Sequence, residues 1–274
     1  MSHPLLVRLK SNDPDERRAA CMDAADDPSG ILLADALAQT LGDPVKGVVR
    51  AASDALVAIG RRAGGVDDAI RQALHSDEPS RRWGAAFTFA RLEPPGPRVL
   101  PALVEALGSP DGDVRWAAAR LLVEAGRTHP EVLPLLIGLV RGGEHALVRR
   151  MATFALRELA PDRPEAAAVL LDATGDVDLH VRRAAYTAMA SLMAPPPEVV
   201  EHLLRTLRGD PDAATRRLAA LALGEIGAAE PQALPPRTEE ALRDAGRAAE
   251  DPDLRKAVER ALRRLQAGQP VPGA

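Results

Sequence analysis

The sequence predicts an all-α fold, a right-handed α-solenoid (superhelix) of about eight helical pairs. Three observations carry that prediction. A phrase returns every 32–34 residues, and apolar residues recur at i, i+3 within each return. The third is composition: 46% of the 274 residues are hydrophobic but 2% are aromatic. Such a chain buries area through many small helix contacts.

The phrase is an acidic turn, an Arg, then an Ala-rich helix with an apolar residue seven places on. Counted from the Arg, origins fall at 17, 49, 82, 115, 149, 182, 216 and 255, at intervals of 32, 33, 33, 34, 33, 34 and 39. The first unit reads Asp13-Pro14-Asp15-Glu16-Arg17-Arg18-Ala19-Ala20. The second has Val49 at the origin, Arg50 one place later, Leu56 and Ile59 on the buried face, and Gly60 as a predicted C-terminal cap. The third carries Phe89 and Leu92. The fourth opens with the amphipathic helix Leu100 to Leu107, passes the turn Pro110-Asp111-Gly112-Asp113, and ends at a predicted cap, Gly126. Before the fifth origin, Arg149, lies the longest apolar stretch, Val132 to Val140, broken by Pro134 and too short for a membrane span. The sixth unit has Met189 and Leu192; the seventh has Asp210-Pro211-Asp212, Leu223, Ile226 and Gly227. The long last interval holds the proline-rich segment Glu230 to Pro236. The final helix, Leu254 to Leu265, is charged enough to cap the array with a polar outer face. Residues 1–265 are therefore expected to form a single solenoid domain, and 266–274 a disordered tail.

Charge and cysteine usage narrow the function. Lys+Arg number 35 against 39 Asp+Glu, a net charge of −4, which argues against a dedicated nucleic-acid binder. The single cysteine, Cys21, excludes an internal disulfide and suits a reducing compartment. The first residues, Met1 to Arg8, lack the apolar core of a signal peptide. A soluble, cytoplasmic protein is expected.

The repeat length, turn and Arg pattern together resemble the HEAT-repeat family, in the short bacterial type also seen in phycobilisome-lyase-like repeats, over roughly residues 4–265. The resemblance implies that turn Asp and second-helix Arg residues form a hydrogen-bonded ladder between units. Arg17, Arg82, Arg115, Arg149, Arg182, Arg216 and Arg255 would be its members, with Val49 departing from the pattern. It also implies that the second helices line a concave surface.

Chemistry-bearing constellations are sparse. The histidines His3, His75, His129, His145, His180 and His202 include no i, i+4 pair. The chain also lacks the His-Glu dipeptides by which HEAT-like deoxyhypusine hydroxylases hold iron. His145 and His180 fall in turns of adjacent units. Cys21 lies four places after its origin, in a column otherwise filled mainly by small residues, and is expected to be structural. No phosphate loop, nucleophile elbow or zinc spacing occurs. No catalytic residue, metal or cofactor is expected.

The second helices are more informative. One place after the origin stand Arg18, Arg50, Trp83, Trp116, Arg150, Arg183, Arg217 and Lys256; five places after it stand Phe87, Arg120 and Phe154 among others. The six aromatics, Trp83, Phe87, Phe89, Trp116, Phe154 and Tyr186, all fall on second helices of units three to six, with Phe89, like Leu121, expected in the core. Packing alone can place them: an Arg stem covers an Ala-rich helix, and rings fill a bend. The preferred expectation is a non-catalytic protein- or peptide-binding scaffold. Its contact residues would be Arg50, Trp83, Phe87, Trp116, Arg120, Arg150, Phe154, Arg183 and Arg217, facing a partner of acidic and apolar character. An alternative is a DNA reader like the HEAT-like alkylpurine DNA glycosylases, with Trp83 and Trp116 as its tryptophans and Asp54 as the one acid in the stripe. Bilin lyase-like action is a further alternative.

Overall fold

The computed structural model describes residues 3–268, which are helical throughout apart from turns and loops; no strand occurs among the described residues. Among the described residues, sixteen α-helices follow one another as eight pairs. The chain gathers into two compact units, Met1–His129 and Pro130–Ala274. The first unit holds α1 (Pro4–Arg8) and α2 (Pro14–Asp26), α3 (Ala34–Thr40) and α4 (Lys46–Ala63), α5 (Asp67–Leu74) and α6 (Pro79–Leu92), then α7 (Leu100–Ala106) and α8 (Gly112–Gly126). The second holds α9 (Val132–Gly142) and α10 (Ala146–Leu159), α11 (Pro164–Ala173) and α12 (Leu179–Met189), α13 (Pro197–Gly209) and α14 (Ala213–Ala229), then α15 (Thr238–Ala248) and α16 (Pro252–Gly268).

The backbone fixes the repeat register. At every origin the N–H donates to the carbonyl four residues back, at 3.1–3.2 Å, from Arg17 to Asp13 through to Arg255 to Asp251. Asp13, Asp111, Asp178 and Asp212 cap their helices, each side chain accepting a first-turn N–H. In α2, Pro14 follows the cap, where its missing N–H has no intrahelical partner to lose.

Burial follows the columns. Seven places past the origin, Leu56, Phe89, Leu122, Leu156, Met189 and Leu223 are buried. Four places past it, Cys21, Ser53, Ala86, Ala119, Thr153, Tyr186 and Ala220 are buried too. In the last pair Glu259 holds that column and is exposed, on a helix with no following pair among the described residues.

Three sequence expectations are corrected. Gly60 and Gly227 lie inside α4 and α14, and Gly126 is the last residue of α8, so none is a left-handed cap. Gly60 and Gly227 serve close packing instead: a Cβ on Gly60 would lie 2.8 Å from Val66 Cγ2, and one on Gly227 would meet Leu234 and Leu265. Gly64 and Gly65, just beyond α4, are left-handed at φ 68° and 77°, and Ala194 is a third positive-φ residue at 46°. Second, α16 runs through Gln266 and Ala267 to Gly268, so the first three residues of the expected tail are helical. The remainder, 269–274, lies outside the described residues. Third, Arg255, expected in the ladder, is exposed and makes no side-chain hydrogen bond among the described residues.

Candidate functional site

The ladder arginines do two jobs. Nη1 of Arg17, Arg82, Arg115, Arg149 and Arg182 each donates to the carbonyl six residues back: Ser11, Ser76, Ser109, Gly143 and Asp176. That bond closes the turn within a pair. Arg17 and Arg149 also close a fork on the next pair. Arg17 Nε and Nη2 reach Asp43 at 2.6 and 3.0 Å, and Arg149 reaches Asp176 at 2.7 and 2.9 Å. Arg82 does the same with Glu105, 2.8 Å from Nε. The Arg149 fork holds the Asp176 carboxyl below the usual carboxylate range.

The column six before the origin was not singled out as functional by sequence reasoning. It reads Ser11, Asp43, Ser76, Ser109, Gly143, Asp176, Asp210 and Ala249. Its side-chain oxygens accept the N–H two residues on, from Ser11 to Asp13 and from Asp176 to Asp178 for example. The signal was present as oxygen-bearing residues in a fixed slot, but it is visible only once the units are aligned by origin.

Further along, the ladder moves one place. Arg183, not Arg182, forks onto Asp212 at 3.0 and 2.9 Å, and Arg217 lies 3.1 Å from Asp253. Both were expected to face a partner. The Arg183 pair, with the Thr215 hydroxyl, holds the Asp212 carboxyl far below its ordinary range.

The other stripe residues lie at the surface. Trp116 is 45% exposed, Arg50 and Arg120 are exposed, and Trp83, Phe87, Arg150 and Phe154 are half-buried. Phe89 and Tyr186 are buried, so the stripe rings separate from the core rings as their columns predict. On α6, Trp83 and Phe87 pack with centroids 5.6 Å apart, and the Arg91 guanidinium lies 5.9 Å from the Phe87 ring. Arg91 also pairs with Asp54 at 2.7 Å, which removes Asp54 from the role of free acid in the stripe. Arg50, Arg120 and Arg150 make no ion pair among the described residues. Leu121, expected in the core, is half-buried; its neighbour Leu122 is the fully buried one.

Remaining titratable groups serve the interior. Burial pushes the Cys21 thiol up to about 12, the state of an inert packing group. Tyr186 Oη lies 2.9 Å from His202 Nε2 and 3.0 Å from Thr206 Oγ1, tying α12 to α13. Burial lowers the His202 pKa, which favours the neutral ring in this contact. His145 and His180 are exposed. Among the described residues no group of three or more His, Cys, Asp or Glu could hold a metal ion, and no helix is long and apolar enough to cross a membrane.

HEAT repeats match residues 66–157 and 167–263, well over half of the chain. The chain belongs to the HEAT-repeat family. The matched segments span the third to the eighth helical pair. No curated protein matches the sequence. Among solved structures, the complex of CpcE and CpcF of phycocyanin lyase from Nostoc sp. PCC7120 is similar at 21% identity, over 60% of this chain and 97% of that one, with a TM-score of 0.52. Kap121p is similar at 14% identity over 95% of this chain and 33% of that one, with a TM-score of 0.60. Kap121p bound to Nup53p gives 0.59 at 13% identity, again over 95% and 33%. The chain thus spans about a third of Kap121p. At these identities the likeness shows the HEAT solenoid fold alone.

Proposed function

We propose that this HEAT protein is a non-catalytic, cytoplasmic scaffold that holds a protein or peptide partner on its second helices. Trp83, Phe87 and Trp116 of the first unit form the apolar contact, with Arg50 and Arg120 beside them. The observation that carries the reading is the partition of rings: Phe89 and Tyr186 are buried, while Trp116 stands 45% exposed in a column of cations. A Trp is seldom left open next to unpaired Arg without a use, and Trp and Arg are the residues on which binding energy concentrates. In the second unit Arg150 and Phe154 occupy the same columns. Arg183 and Arg217 contribute less, because carboxylates of their own unit hold them. The partner segment is acidic and partly apolar, matching Arg beside Trp. That Kap121p is seen bound to Nup53p and to Ste12p agrees with partner binding on this fold.

The chain has two tryptophans and both are in the stripe, so intrinsic fluorescence reports the site directly. Peptides of alternating acidic and apolar residues should change that emission saturably. Their binding should be lost in Trp83→Ala/Trp116→Ala when followed by calorimetry. A partner retained equally by wild type and double variant would overturn the reading. Mobility of a DNA duplex unaffected by the protein at low salt would further separate it from the DNA-reader alternative.

A further inference from the structure

Arg216 breaks the ladder. Where the slot six places before the next origin holds an Asp, the origin Arg can fork onto it, as Arg17 does onto Asp43 and Arg149 onto Asp176; Arg82 and Arg115 face Ser109 and Gly143 there, and Arg82 takes Glu105 instead. For Arg216 the corresponding slot is Ala249, which has no side-chain acceptor. The result is visible at the atom: Arg216 Nε is buried and has no hydrogen-bond partner. A buried guanidinium N–H without an acceptor is costly, and natural structures keep few of them.

The same side chain lines a groove of about 420 Å³ among α13, α14, α15 and α16. Arg208, Arg237, Glu240 and Asp244 line it as well, over Leu207 and Leu254, both buried. Arg237 is occupied by Glu201 and Asp244 by Arg247. Arg208 and Arg216 therefore face the groove against Glu240 alone, which leaves it cationic by one charge. One excess positive charge beside Glu240 matches a single carboxylate better than a phosphate dianion.

We propose that this groove binds a carboxylate presented by a partner peptide, which takes the place of the aspartate that the eighth pair lacks. The carboxylate accepts from Arg216 Nε as Asp43 and Asp176 accept from Arg17 and Arg149, and Arg208 balances its charge. The site is separate from the aromatic stripe and stands or falls independently of it.

The test follows the Arg Nε–H resonances of the full-length protein by NMR, with the Arg216 signal identified by its loss in Arg216→Lys. Three probes are titrated at constant ionic strength: an amidated tripeptide with a central Glu, its Gln counterpart with a free C-terminus, and inorganic phosphate. A saturable shift of the Arg216 signal with the first probe assigns a side-chain carboxylate, and with the second a C-terminal one. Arg216→Lys, which keeps the charge but loses the fork, should weaken that probe roughly tenfold. Ala249→Asp should show the shifted resonance without any probe, melt at a higher temperature than wild type, and no longer respond to the carboxylate. The proposal is overturned if phosphate binds more tightly than both peptides, if neither peptide moves the resonance, or if Ala249→Asp binds the carboxylate as well as wild type does.

Discussion

Neighbouring arginines on one helix have opposite duties, and the difference is measurable. Arg149 satisfies Gly143 O and Asp176 together, whereas Arg150 is half-buried and has no ion pair among the described residues. Arg149→Ala is expected to cost about 1–3 kcal/mol in a denaturant titration, because it strands a carbonyl and a carboxylate. Arg150→Ala should stay within about 0.5 kcal/mol. Equal losses would mean that the fork contributes nothing beyond ordinary side-chain packing. The same fork sets an acid response. Asp176 titrates lower in the folded protein than the roughly 3.9 of an unfolded chain, so its stabilisation is complete above that value and lost as pH falls through the folded one. In Arg149→Ala the stability curve should therefore be flatter on its acid limb.

At the scale of elements, the tie between α12 and α13 has its own pH window. His202 is harder to protonate folded than unfolded, so the unfolded chain takes up the proton first as pH drops. Its contribution is full above about pH 6.5 and declines below it, well before the carboxylates titrate. His202→Gln, which keeps a hydrogen-bonding partner for Tyr186, should remove the stability slope just below about pH 6.5 in thermal melts. An unchanged slope would assign it to another histidine. The helices themselves were legible in the sequence because a 3.6-residue period and a fixed Arg leave little freedom: all eight origins hold the same backbone bond. The glycines misled because sequence spacing cannot distinguish a left-handed cap from a close approach, and Gly60 and Gly227 are of the second kind. Leu121 and Leu122 were confused for a related reason, since adjacent residues differ by a third of a turn. The shift of the ladder from Arg182 to Arg183 was illegible, because Arg-Arg pairs look identical until a carboxylate chooses between them.

For the whole molecule, the stripe makes one joint prediction. Trp83→Ala/Trp116→Ala should weaken an acidic, apolar partner by on the order of 2–4 kcal/mol while moving the unfolding midpoint far less than Leu122→Ala does. A double variant as destabilised as Leu122→Ala would show that the rings serve packing. The turn-closing bond from Arg Nη1 to the carbonyl six residues back also bears on how the chain reaches its fold. It joins residues close in sequence, so little loop entropy opposes it and it can form before any neighbouring pair is in place. Nuclei of this kind are distributed along the chain rather than concentrated in one region, which favours rapid folding from several starting points. Gain or loss of an entire pair by gene duplication or deletion would leave each remaining nucleus intact, which makes repeat number the easiest property of this protein for evolution to change.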